Sequence, residues 1–100
     1  MSKVSVIGSV TSQEGKGDEM AAVLTKMVEA AKDEPGVEIY SYHRDGDTFW
    51  FFALMADKEA MDNHGKSPAM QAAMQAFGPL MAEPPQMTIT TPVAAVGLDL

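Results

Sequence analysis

The chain contains no cysteine. Disulfides, thiol nucleophiles and cysteine-based zinc sites are therefore excluded together. Positive charge is scarce as well: Lys and Arg total 7 against 14 Asp and Glu, a formal net charge of −7. Those cations are scattered between Lys3 and Lys66 and form no stripe. Nothing tracks a phosphate backbone, so nucleic acid is not an expected partner. No apolar run approaches the roughly 20 residues that span a bilayer, so no membrane partner is expected either. The opening MSKVSVIGSV lacks the basic region, long apolar core and cleavage site of a secretory signal, and the cytoplasm is the expected location. Histidine occurs only at His43 and His64. Two histidines without cysteine make a dedicated metal site improbable, and no metal or cofactor is expected.

What the chain does have is apolar surface. It is 46% hydrophobic over 100 residues, with nine methionines and four phenylalanines. This length makes one domain, residues 1–100. A domain this small buries a modest core, so a second copy of the chain is expected to cover part of the remainder.

Residues 4–11, VSVIGSVT, alternate Val4, Val6 and Val10 with Ser5, Ser9 and Thr11, the pattern of a half-buried strand. From Asp18 to about Lys32, Met20, Val23, Leu24, Met27, Val28 and Ala31 trace one helix face, and Pro35-Gly36 stops the helix. Residues 37–44 and 47–56 flank RDGD, and Asp45-Gly46 suits a type I′ hairpin turn. That turn predicts Tyr42 opposite Phe49, Ser41 opposite Trp50 and Tyr40 opposite Phe51. One face then carries Val37, Ile39, Ser41, His43, Trp50, Phe52 and Leu54; the other carries Tyr40, Tyr42, Phe49, Phe51, Ala53 and Met55. Both are largely apolar, whereas a sheet covered on one side alternates with polar residues. Helices cover one face; the sheet of an identical subunit is expected over the other, assigned to Tyr40, Phe49 and Phe51.

Asp57 can cap a short helix that carries Met61 inward and ends at His64, with Gly65 in the left-handed position beyond it. Ser67 caps the next helix and Pro68 opens it. Met70, Met74, Phe77 and Met81 or Leu80 follow at helical spacing, and QMTITTPV reads as a last strand. The apolar tail, residues 93–100, is expected to cross a dimer. The order β-α-β-β-α-β specifies an α+β, ferredoxin-like fold, a four-stranded antiparallel sheet with helices on one face.

The stretch EGKGDEMAAVLTKMVEAAKDEPGVEIYSYHRDGDTFWFFALMADKEAMDNHGKSPAMQAAM resembles the antibiotic biosynthesis monooxygenase family. The resemblance rests on an ordered set: Gly-Lys before the first helix, Glu-Pro-Gly after it, Tyr-x-Tyr in the second strand and an aromatic third strand. Asp57, Met61, His64 and Ser67-Pro68 complete it, and the similarity extends over about residues 4–92. It implies a sheet-to-sheet homodimer, an α+β barrel. It also implies a cofactor-independent monooxygenase that converts quinols or polycyclic phenols to quinones with molecular oxygen. Two positions depart from the family pattern: Ala53 where many relatives carry glutamate, and Met55 where Trp or Tyr is frequent. The haem-degrading members of the superfamily carry tryptophan where His64 stands and their haem-ligating histidine where Met74 stands, so haem degradation is not expected.

His64, Trp50 and Tyr40 are the expected catalytic residues; Tyr42, His43, Phe52, Met55, Met61 and Met74 are the expected substrate-binding ones. Neutral imidazole is a suitable base for a phenol near pH 7. A helix C-terminus instead favours the imidazolium, a hydrogen-bond donor to an oxyanion. A plainer reading of His64 is a helix-end histidine bonding a free carbonyl, and of His43 a surface strand-end residue. Trp50, Phe52, Tyr40 and Tyr42 suit the walls of a site for a small flat aromatic, though core packing also explains them. The methionines read first as adaptable core. Two other functions stay open: a non-catalytic ligand-binding barrel of the same fold, and an isomerase- or decarboxylase-like activity on a small lactone.

Overall fold

The computed structural model describes residues 3–98. The first strand, β1, runs Val4–Thr11 and leads into helix α1, Gly17–Ala31. A hairpin of β2 (Val37–Asp45) and β3 (Thr48–Met55) follows. Helices α2 (Lys58–Lys66) and α3 (Pro68–Phe77) come next, then a 3-10 turn at Gly78–Leu80 and strand β4, Gln86–Thr90. The sheet order is β2-β3-β1-β4, antiparallel throughout. This is the expected ferredoxin-like arrangement.

The helix boundaries follow from their caps. Asp57 Oδ1 accepts the Ala60 N–H at 2.8 Å, and Ser67 Oγ accepts the Met70 N–H at 3.1 Å. Pro68 costs nothing at the first helical position, where its missing N–H has no partner to lose. Gly65 departs from expectation. It has no positive φ and lies inside α2, which continues to Lys66 before Ser67 turns extended. The extended Ser67 backbone breaks the helix, so no left-handed residue is required.

The hairpin turn also differs. Its two loop residues are Gly46 and Asp47, and Asp45 pairs with Thr48. Gly46 has φ +64 and no non-glycine residue has positive φ, the pattern of a type II′ turn. One glycine at the first central position suffices, so Asp45 avoids the left-handed region. Pairing slides by two residues: Tyr42 lies opposite Phe51 and Tyr40 opposite Ala53. A two-residue slip preserves the pleat, so those side chains keep their expected face. Val37 does not. A register shift between Val37 and Ile39 places Val37 opposite Met55, and it packs with Val6, Ala53, Met55 and Ala60 rather than beside Ile39.

Helices cover the face of Tyr40, Tyr42, Phe49, Phe51, Ala53 and Met55. Phe49 clusters with Val10, Met20, Leu24, Met27, Ala73 and Phe77, five of them helical residues. The expectation that a second subunit covers Tyr40, Phe49 and Phe51 is thus corrected. The face left over carries Ile7, Ile39, Phe52 and Trp50, with Ile7 48% and Trp50 53% exposed. The apolar pattern on both faces could not assign them; the helix packing does.

Gly8 is required by a close approach. A Cβ there would lie 2.1 Å from the Gln86 carbonyl oxygen and 2.7 Å from the Phe51 ring. Its absence lets β4 and Phe51 close over β1. After β4 the tail runs exposed, with Val93 94% and Val96 103% exposed. Of the expected domain 1–100 and tail 93–100, positions 1, 2, 99 and 100 lie outside the described residues.

Candidate active site

The inner sheet face and the helices border a cavity of about 560 Å³ that is partly open to solvent, with Met74 and Met87 more than half exposed on its lining. Its construction follows from element periodicity. Tyr40 and Tyr42 project from β2 two residues apart, as Ala53 and Met55 do from β3 and Met87 and Ile89 from β4. Met61 and His64 share a face of α2 at a spacing of three; Met70, Met74 and Phe77 share a face of α3. Seven of the nine methionines line the space. Unbranched thioether chains adapt to varied shapes at low cost, so the wall is apolar and forgiving.

The polar groups gather where β2 meets α2. His64 is 9% exposed, and its Nδ1 lies 2.5 Å from Glu34 Oε2. The Tyr40 ring stands edge-on to the imidazole, centroids 5.1 Å apart at 86°. The Tyr40 and Tyr42 hydroxyls bond each other at 3.0 Å. Burial pushes the Tyr40 phenol far above its ordinary range, and Tyr42, through its charge and its hydrogen bond, and Glu34 raise it further. Burial likewise raises Tyr42, partly offset by the hydrogen bond from Tyr40. Both hydroxyls stay protonated at neutral pH and offer a donor to a ligand oxygen.

The structure brings together six of the nine expected site residues: His64, Tyr40, Tyr42, Met55, Met61 and Met74. It separates the other three. Trp50, Phe52 and His43 project from the opposite sheet face and do not line the cavity, because strand alternation sends residues of their parity outward. His43 is exposed, with Nε2 3.0 Å from Ser41 Oγ. Nor does His64 bond a free helix carbonyl through its ring. Its own carbonyl accepts the Ser67 N–H at 3.2 Å, and its ring meets Glu34.

Glu34 carries no local signal in the sequence beyond preceding Pro35-Gly36. Its partner lies 30 positions away. Ala53, 3% exposed, lines the cavity without offering a carboxylate from β3. Met87 and Ile89 were legible as alternation in the last strand but not as cavity wall. Among the described residues no three His, Cys, Asp or Glu side chains are grouped to hold a metal ion, and no helix is long and apolar enough to cross a membrane.

A ferredoxin-like α+β domain with an apolar cavity between sheet and helices, and a histidine–tyrosine cluster at one end, defines the class. The chain belongs to the antibiotic biosynthesis monooxygenase family, whose sequence profile matches residues 3–76. It is 26% identical over 87 residues to an uncharacterized protein of Synechocystis, across 84% of this chain. It spans 59% of that relative's length. Among solved structures it is similar to a candidate antibiotic biosynthesis monooxygenase of Caulobacter crescentus, at 26% identity and TM-score 0.88, covering 93% of this chain and 92% of that one. A candidate of the same kind from Chloroflexus aurantiacus is 25% identical, with TM-score 0.83 and coverage of 98% and 100%. A Mycobacterium tuberculosis protein shares the fold at 22% identity, with TM-score 0.88 and coverage of 96% and 100%.

Proposed function

We propose that this chain is a cofactor-independent monooxygenase, acting as a homodimer, that oxidises a quinol or polycyclic phenol with molecular oxygen. The observation that carries this reading is the cavity of about 560 Å³, mostly apolar along its walls, with the Tyr40, Tyr42 and His64 cluster as its buried polar group and Asp62 and Lys66 also on its border. A flat aromatic ring suits the walls, and its hydroxyl would meet the polar end. Removal of the hydroxyl proton leaves a phenolate electron-rich enough to reduce oxygen. With a phenol, one oxygen atom enters at a ring C–H carbon as the new carbonyl, and the other leaves as water with that carbon's hydrogen and the hydroxyl proton. With a quinol, whose two oxygens are already in place, oxygen takes both hydroxyl hydrogens and leaves as hydrogen peroxide. The protein's share is orientation, exclusion of water and a hydrogen bond to the developing oxyanion. The exposed face of Ile7, Phe52 and Trp50 is the proposed dimer surface.

Ala53 favours a second reading, a binding protein without turnover, because β3 offers the cavity no charged group. Oxygen uptake with a panel of quinols separates the two. Turnover above autoxidation, lost in His64→Ala, supports the oxygenase. Ligand-raised melting temperature without oxygen uptake supports the binder.

A further inference from the structure

We infer that Glu34 is the positioning residue for His64, holding its Nδ1–H so that Nε2 faces the cavity as proton acceptor for an acidic hydroxyl of the ligand. This rests on the reading of the cavity as the substrate site.

The pair is not a surface ion pair. The side chains of His64 and Glu34 are only 10% and 19% exposed, with Nδ1 and Oε2 2.5 Å apart. An ionised carboxylate only accepts, so the proton of this bond sits on Nδ1. In a neutral imidazole that leaves a lone pair on Nε2. Nε2 makes no hydrogen bond among the described residues, and no buried side-chain nitrogen or oxygen there lacks a partner. Nε2 is therefore reachable, and His64 lines the cavity. The edge-on Tyr40 ring resists rotation of the imidazole.

The backbone explains why Glu34 arrives there. Gly36 has φ +84, and a Cβ on it would lie 2.4 Å from the Ala60 Cβ. The Gly36 carbonyl also accepts the Ala56 N–H at 2.8 Å, and the Glu34 N–H bonds the Ala31 carbonyl at 3.0 Å. The turn after α1 thus docks on the first turn of α2 at Ala60. His64 lies four residues further along the same helix face, one turn away. Docking Gly36 on Ala60 sets Glu34 against His64. When a hydroxyl O–H breaks, its proton bonds to Nε2, and the Glu34 charge balances the imidazolium.

The tautomer of His64 tests this directly. Long-range proton–nitrogen NMR of the whole chain at neutral pH should show Nδ1 protonated and Nε2 bare for His64. His43, exposed on the other face, is the internal control. Glu34→Gln, which keeps an acceptor, should retain that tautomer, and Glu34→Ala should lose it. A wild-type His64 found as the Nε2–H tautomer, or as imidazolium, overturns the inference whether or not either variant folds. If a quinol is turned over, Glu34→Ala should lower kcat about 10-fold to 100-fold at near-constant KM, less than the roughly 10²-fold to 10⁴-fold of losing the base itself. Glu34→Gln should recover part of that loss. Equal rates in all three proteins overturn it. Absence of turnover with every quinol removes the oxygenase reading, and the tautomer then decides the orientation alone.

Discussion

The two faces of this sheet have nearly the same apolar content and opposite fates. The inner face of Tyr40, Tyr42, Phe49, Phe51, Ala53 and Met55 lies under three helices and bounds the cavity. The outer face presents Ile7 and Trp50 about half exposed. Hydrophobicity alone does not make the difference. The inner face has partners at fixed positions: Met20, Leu24 and Met27 from α1, Ala60 from α2, and Ala73 and Phe77 from α3. On the outer face Leu54 is buried, but Ile7 and Trp50 belong to neither core cluster and stay about half in water. An inner-face change should therefore act on stability and ligand binding, and an outer-face change on association.

The largest expected effect breaks the outer half of the comparison. Trp50→Asp places a charge at the centre of the proposed dimer surface, and light scattering at micromolar concentration should change from dimer to monomer. Cavity binding of a hydrophobic ligand should persist. Leu24→Ala acts on the inner half. Leu24 is 2% exposed, and removing it should cost about 2–5 kcal/mol of unfolding free energy, read by denaturant titration. The same truncation at Ile7 in a monomeric variant should cost far less, because half of that side chain is already in water.

Smaller effects sharpen the inner face further. Tyr42→Phe removes the hydroxyl bonded to Tyr40. A loss of about 0.5–1.5 kcal/mol is expected. The chain's two tyrosines are both in this pair. An alkaline absorbance titration therefore reads the inner face alone. Both phenols are raised in the folded state, so each binds its proton more tightly there than in the unfolded chain. Stability should be full below the ordinary phenol value of 10.0 and fall as pH rises above it. Phenolate absorbance should appear only together with unfolding. Ordinary titration in the native protein would contradict the buried pair.

Much of this architecture is legible from the residues. The spacing of Met20, Leu24 and Met27 announces α1; Asp57 and Ser67-Pro68 mark where α2 and α3 begin. The hairpin is visible in Asp45-Gly46, but its register is not, because Gly46 can occupy either central turn position. The assignment of faces is not legible either. Two apolar faces on one hairpin do not say which one the helices take, and Trp50 and Tyr40 looked equally suited to a pocket. The pairing of Glu34 with His64 depends on how the Gly36 turn meets Ala60, a contact between elements that no local pattern encodes. Local periodicity reports elements; it reports juxtaposition between elements poorly.

The most direct measurement is NMR of the methionine methyls and the Trp50 indole while 1,4-naphthohydroquinone is added under anaerobic conditions. The chain holds one tryptophan, on the outer face, whereas Met55, Met61, Met70 and Met74 line the cavity and Met20 is fully buried away from it. The cavity methyls should shift, with Met20 and the indole unmoved. A shifted indole with unmoved cavity methyls would place the ligand on the outer face and contradict the account.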